Sequence, residues 1–552
     1  MEYFDLGTYS RPVSTSSPVA QQWFDRGLIW CYGFNHEEAV RCFARVVEAD
    51  PGCAMGYWGM AFASGPNYNK SWELFEESEL ADAVARTDEL TRQAQQAAAT
   101  ATPVERALIE ASAERFPAGR LEGDGSDRNL AYANAMRTVY ERFPDDPDVA
   151  TLFADALMNV TPWALWDQHT CRPAAGAFTL EAKAALDRTL GSTAGHRHPG
   201  ALHMYIHLME MSPTPEDALP EANRLRGLVP DSGHLEHMPT HLDILCGDYE
   251  AVVSSNSAAI AADDRYVLRE GAFNTYTLYR AHNLHFKIYG AMFLGRLSTA
   301  LETVAQLEDS IPEDLLRVRV PPMADWLESF ASMRVHVLIR FGQWQSIIDL
   351  PMPSDAGLYC VTTAMLHYAK GVAFSATDRV AEAAEQQQLL RAARNRVPES
   401  RTLFNNTCRD ILAVAEAMLD GELEYRKGNY DTAFESLRRA IDLDDNLPYD
   451  EPWGWMQPVR HAYGALLLEQ GDLSAAEAVY RADLGLDDTL PRASRHPANV
   501  WSLHGYHECL QRLGKLGEAE AIAPELAAAI AHADVPITAS CYCRTTERHC
   551  CD

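Results

Sequence analysis

The sequence predicts an all-α fold, an α-solenoid of stacked helical hairpins, and three observations carry that expectation. A cassette in which a glycine ends one helix and a small residue five positions on opens the packing face of the next recurs along the chain. Strand signals are nearly missing, with no sustained alternation of period two and no Asn-Gly or Asp-Gly turn between β-branched runs. The third is composition: 552 residues, 47% hydrophobic and 23% charged with 32 Gly and 29 Pro, describe a globular chain without disordered or low-complexity tracts. A repeat array accommodates that length without closing one very large core.

Taken in order, the first element is a hairpin marked by Gly27, Ala39, Phe43 and Pro51. The cassette returns as Gly247 with Val252, Gly295 with Ala300 and Gly342 with Ile347. It is clearest at Gly428 with Ala433 and Leu437, Gly471 with Ala476 and Tyr480, and Gly514 with Ala519. Gly421 and Gly464 stand seven residues before two of these glycines, where a small residue lets helices approach closely. Breaks fall at 118–127, 191–200 and 444–455, and none has the composition of a flexible linker.

These spacings resemble the tetratricopeptide repeat superfamily, well over 21–59 and 421–526, fairly over 247–302, and in degenerate form elsewhere. The expected organisation is N-terminal hairpins over 1–190, a His-rich centre over 191–300, a C-terminal array over 301–535 and a Cys-rich tail over 536–552.

A formal charge of −31 repels phosphate backbones and anionic lipid, which argues against nucleic-acid and membrane partners. No apolar run of eighteen residues occurs, and the first ten lack the basic and apolar stretches of a secretory signal, so a cytoplasmic location is expected. Eight of the twelve cysteines (Cys31, Cys42, Cys53, Cys171, Cys246, Cys360, Cys408 and Cys509) read as reduced core residues. Phosphate-binding loops, dinucleotide fingerprints and serine nucleophile elbows are missing, and His234-Leu-Glu-His237 has the wrong order for a zinc-protease motif. Trp163, Trp166, Trp453 and Trp455 mark aromatic-rich places that line a pocket or wedge between hairpins, and packing is the favoured reading.

The histidines carry the functional signal. Chance places roughly one His pair at a separation of three or four in a chain with this His content. Five such pairs occur: His203/His207, His234/His237, His237/His241, His282/His285 and His504/His507. One pair alone reads more readily as core histidines on backbone carbonyls, but four in one central region point to metal ligation, since this spacing puts two imidazoles on one helix face. Glu210, three residues beyond His207, adds a carboxylate to that face. Pro239 lies between His237 and His241; a helix starting there would take His237 off the shared face.

The expected metal ligands are therefore His203, His207, Glu210, His234, His237, His241, His282 and His285. Cys541 and Cys543 at C-x-C spacing are a further candidate pair, with His549, Cys550 and Cys551 behind them. Imidazole donors favour copper over iron or zinc. The phrases beginning at His198, Gly233 and His282, with Gly65-Pro-Asn-Tyr-Asn69 and Ser540-Cys-Tyr-Cys543, resemble a His-rich subgroup of bacterial tetratricopeptide proteins, which implies the fold and no particular activity. The leading expectation is a metal-dependent oxidoreductase acting on a small molecule. The alternatives are a non-catalytic scaffold that binds peptides or proteins in its groove, and a metal storage or delivery protein.

Overall fold

Helix starts are written locally into the chain. Ser17 accepts from the Ala20 amide with Pro18 at the first helical position, and Asp146 accepts from the Asp148 and Val149 amides ahead of Pro147. Thr102 and Glu105 form a reciprocal capping box. Helix ends follow the predicted cassette: Gly247, Gly295, Gly342, Gly428, Gly471 and Gly514 all have φ between 62° and 82°. That left-handed turn costs side-chain-bearing residues steric strain, so glycine is the natural stop before the chain doubles back.

The result, in a computed structural model describing residues 3–116, 121 and 123–544, is all-α. Consecutive helices pair as antiparallel hairpins, among them Pro18–Tyr32 with His36–Ala49, Cys408–Arg426 with Tyr430–Asp445, and Val459–Gln470 with Leu473–Leu484. The strands among the described residues are two-residue antiparallel ladders, Trp166–Asp167 with Arg172–Pro173 and Thr402–Leu403 with Asn406–Thr407.

The tetratricopeptide-like packing rests on a repeated small-against-large contact. A Cβ added to Gly27 would lie 2.8 Å from the Phe43 ring, one at Gly421 would lie 2.6 Å from Leu437, and one at Gly464 would lie 2.6 Å from Tyr480. In each case a glycine on the first helix seats a large side chain sixteen positions later on the second.

The chain forms two compact units, one of Met1–Leu242 and Ala258–Tyr276, the other of Asp243–Ser257 and Thr277–Asp552. In the first, Phe24, Trp30, Phe43, Trp72 and Tyr132 are fully buried; in the second, Tyr289, Trp455, Tyr480 and Trp501 are. Six of the eight isolated cysteines are buried as expected, but Cys246 is half-buried and Cys171 is exposed, in the turn of the first ladder with φ 55°. Among the described residues no helix is long and apolar enough to cross a membrane.

Candidate metal centre

The first unit gathers five histidines around the Pro199–Met209 helix, which is buried on every face. His198 caps its start, accepting from the Ala201 amide through Nδ1, while its Nε2–H donates to Asp148 at 3.0 Å. Asp148 also accepts from the Tyr9 and Tyr32 hydroxyls and from Arg11. Burial opposes the Asp148 charge, but His198, Arg11 and Tyr32 more than offset this and hold its carboxyl well below the usual carboxylate range. Gly200 has no side chain because a Cβ there would come within 2.4 Å of the Tyr32 ring, so the helix can press against the Pro18–Tyr32 helix.

From this anchored helix His203 and His207 project one turn apart, and Glu210 follows at its end. His234 and His237 lie on the short Gly233–His237 helix, held by a chain in which the His234 amide donates to Tyr276 and the Tyr276 hydroxyl donates to Asp263. A new helix does start at Pro239, yet His237 keeps its place beside His241. Met238 between them is still right-handed helical (φ −50°, ψ −38°), so the hydrogen-bond ladder breaks while the helical phase continues.

Hydrogen bonds fix which nitrogen of three rings carries the proton. His203 Nδ1 lies 2.5 Å from the Tyr32 carbonyl. His207 Nδ1 and His241 Nδ1 lie 3.0 and 2.8 Å from the two oxygens of Glu210. A carbonyl and a carboxylate only accept, so all three Nδ1 atoms donate, and in a neutral ring Nε2 then carries the lone pair. His203 Nε2 is 3.1 Å from His234 Nε2, and His237 Nε2 is 2.8 Å from His241 Nε2. The buried His207 Nε2 has no hydrogen-bond partner.

Ligand atoms of His203, His207 and His234 lie within 4.8 Å of one another, as do those of His207, Glu210 and His241. Metal–nitrogen bonds of about 2.0–2.1 Å place neighbouring donors about 3 Å apart, so the donor chemistry, the spacing and the unpartnered Nε2 all fit a transition-metal ion. Burial pushes His203 down to about 3 and, with His203 and His237 adding to it, pushes His207 well below the ordinary imidazole value. Both are therefore neutral at pH 7, the form that ligates metal.

An aromatic wall encloses the rings. Phe34 packs 4.5 Å from His203 and stacks on His207 and His234, and Tyr68 and Trp163 flank His207. Phe34 and Trp163 both have left-handed backbones, φ 55° and 59°, a strained state for bulky residues that is found where surrounding structure imposes it. Sequence reasoning missed Phe34 and favoured packing over pocket lining for Trp163; backbone handedness at a non-glycine residue leaves no mark in composition or spacing. Trp166 does serve structure, donating its indole N–H to the Leu208 carbonyl.

His282 and His285, also expected as ligands, lie on the Thr277–Phe293 helix of the second unit. His282 packs edge-on to Phe286 and Phe404, and His285 Nε2 lies 2.8 Å from the Met456 sulfur. Cys541 and Cys543 are joined as a disulfide, so thiolate ligation by this pair requires its reduction. The tail before them is docked: the Ser540 hydroxyl meets that of Tyr480, and Arg340 donates to its carbonyl. His549, Cys550 and Cys551 lie outside the described residues.

No protein-family profile matches the chain, and no curated protein does. Among solved structures, the crystal structure of the APC/C hetero-tetramer Cut9–Hcn1 is similar over 90% of this chain and 78% of that one, with 13% identity and a TM-score of 0.31. Naa15/Naa10 bound to HypK-THB is similar over 92% and 70%, with 12% identity and a TM-score of 0.21. Yeast Tom70 is similar over 93% and 99%, with 11% identity and a TM-score of 0.26. At such scores the likeness adds nothing to what the hairpins themselves show: a tetratricopeptide-like, all-helical protein with groups of buried imidazoles that could hold a metal ion.

Proposed function

We propose that this protein binds a transition-metal ion through His203, His207 and His234, with His237 and His241 beside them, and acts as a metal-dependent oxidoreductase on a small molecule. One observation carries the reading. His203, His207 and His241 each have Nδ1–H tied to an oxygen, which turns their Nε2 atoms away from those oxygens and leaves that of His207 buried with no partner. Histidines that serve only packing satisfy their polar atoms, because a buried unpaired nitrogen costs about 1–3 kcal/mol. Glu210 accepts from two imidazoles, so it supports the reading as a group that orients ligands.

A donor set of imidazoles favours copper over iron or zinc, and either of the first two supplies one-electron and oxygen chemistry when bound. Metal content of the purified full-length protein, dialysed against a weak chelator, tests the binding step; oxygen consumption with candidate small molecules tests the redox step. Near-stoichiometric copper or iron supports the reading. Zinc redirects it to hydrolysis or hydration, and a protein that retains no metal overturns it.

Burial of all five imidazoles favours one second reading, in which the ion is held and handed on without turnover. Slow, reversible transfer to a chelator without oxygen uptake distinguishes that case.

A further inference from the structure

The second unit contains another group of buried donors, on residues distinct from the five imidazoles above. His285 comes from the Thr277–Phe293 helix, His336 from the Met333–Arg340 helix, and Met456 from the connection before the Val459–Gln470 helix. Their exposures are 0%, 1% and 0%.

The connection is fastened to the His336 helix on both sides of Met456. Trp455 packs edge-on to the His336 ring at 5.3 Å, and the Gln457 amide donates to the His336 carbonyl at 2.7 Å. Met456 is thus positioned by both its neighbours, with its sulfur 2.8 Å from His285 Nε2. Phe330 closes over His285 at 5.3 Å. Burial pushes both imidazoles down to about 3, so both are neutral at pH 7.

The polar groups here are not all paired. Nδ1 of His285 and Nδ1 of His336 are both buried without a hydrogen-bond partner. The strongest partner His285 has at Nε2 is a thioether, a weak acceptor. A structural histidine in a dry interior ordinarily directs its N–H at a carbonyl. Two imidazoles and a thioether are instead an uncharged, soft donor set, and soft sulfur selects copper(I). Charge points the same way, because desolvation cost rises steeply with ionic charge and a neutral donor set offers a divalent ion no compensating anion.

We propose that His285, His336 and Met456 form a second, softer metal site that takes copper(I). The site stands independently of the histidine centre in the first unit.

The test uses the full-length protein under anaerobic conditions, titrated with copper(I) against a chromophoric copper(I) chelator, with X-ray absorption at the copper edge. Met456→Leu keeps volume and apolarity, so it preserves packing. The wild type is expected to show a copper ion with nitrogen and sulfur neighbours, and Met456→Leu to lose that sulfur and bind copper(I) at least tenfold more weakly. Zinc affinity should stay within twofold. His336→Asn should weaken copper(I) similarly while the fold, followed by circular dichroism, is retained.

Wild-type copper(I) protein without a sulfur neighbour overturns the proposal. So does a Met456→Leu protein with unchanged sulfur signal and affinity, since cysteines then hold the ion. His207→Gln separates the two sites. If it abolishes other metal binding but leaves sulfur-ligated copper(I), both readings stand; if the wild type binds copper only through sulfur, the first reading alone falls.

Discussion

Replacing Glu210 by Gln probes the centre most sharply, because it changes proton placement while hardly changing shape. The carboxylate accepts from His207 Nδ1 at 3.0 Å and from His241 Nδ1 at 2.8 Å. A glutamine offers one carbonyl oxygen and one NH2 group, so only one of the two rings keeps an acceptor. The other faces an N–H donor and must move its own proton to Nε2, which removes that nitrogen as a metal ligand. Loss of one hydrogen bond to a charged group costs the metal-free fold about 1.5–3 kcal/mol. Loss of an orienting carboxylate lowers metal affinity by about 10–100-fold. The assay is competition for zinc(II) and copper(II) against a chromophoric chelator, with nitrogen-15 spectra of His-labelled protein reporting the tautomers. A folded Glu210→Gln protein with wild-type affinity would refute the orienting role. A loss far beyond a hundredfold would also refute it, and would make Glu210 itself a ligand.

Four more outcomes are expected. His207→Gln should lower metal retention at least tenfold while helicity by circular dichroism is kept; retention unchanged would take His207 out of the site. Asp148 has a folded pKa below its unfolded value of about 3.9, so its contribution is present above that pH and is lost as pH falls toward the folded value. Denaturant titrations should accordingly show an acid loss of stability that is smaller in Asp148→Asn, and at neutral pH that variant should be about 1.5–3 kcal/mol less stable, because His198 and Arg11 lose a charged acceptor while Arg11 keeps its pair with Asp146. Gly505→Ala places a Cβ 2.3 Å from the Tyr480 ring and should cost about 1–3 kcal/mol, largely relieved by adding Tyr480→Leu. Gly471→Ala meets nothing within 4 Å, so its cost of about 1–2 kcal/mol comes from the left-handed backbone and no neighbouring change should rescue it in thermal melts.

The helical hairpins were legible because they rest on local rules. A glycine at a left-handed stop, or opposite a large side chain sixteen positions on, writes its own spacing into the chain. The grouping of His203, His207, His234, His237 and His241 was legible from i,i+3 and i,i+4 pairs for the same reason. Pro239 misled only in part, since proline removes a hydrogen bond without obliging the chain to leave helical dihedrals. Long-range partners could not be read. Nothing near His203 announces that its Nδ1–H meets the Tyr32 carbonyl, 171 residues away in sequence. Met456 carries no ligand signature until the fold brings its sulfur to His285.

The rings of Phe34, Tyr68 and Trp163 bear on time as well as on structure. Because they pack on imidazoles that are themselves buried, an ion bound as proposed would reach or leave the nitrogens only through a local opening of this wall. Exchange then runs at the rate of that local opening, and it becomes insensitive to chelator concentration once the chelator captures every ion released. On the proposed metal-binding reading, an ion held there would thus record which metal was present when the chain folded, more than which binds most tightly at equilibrium.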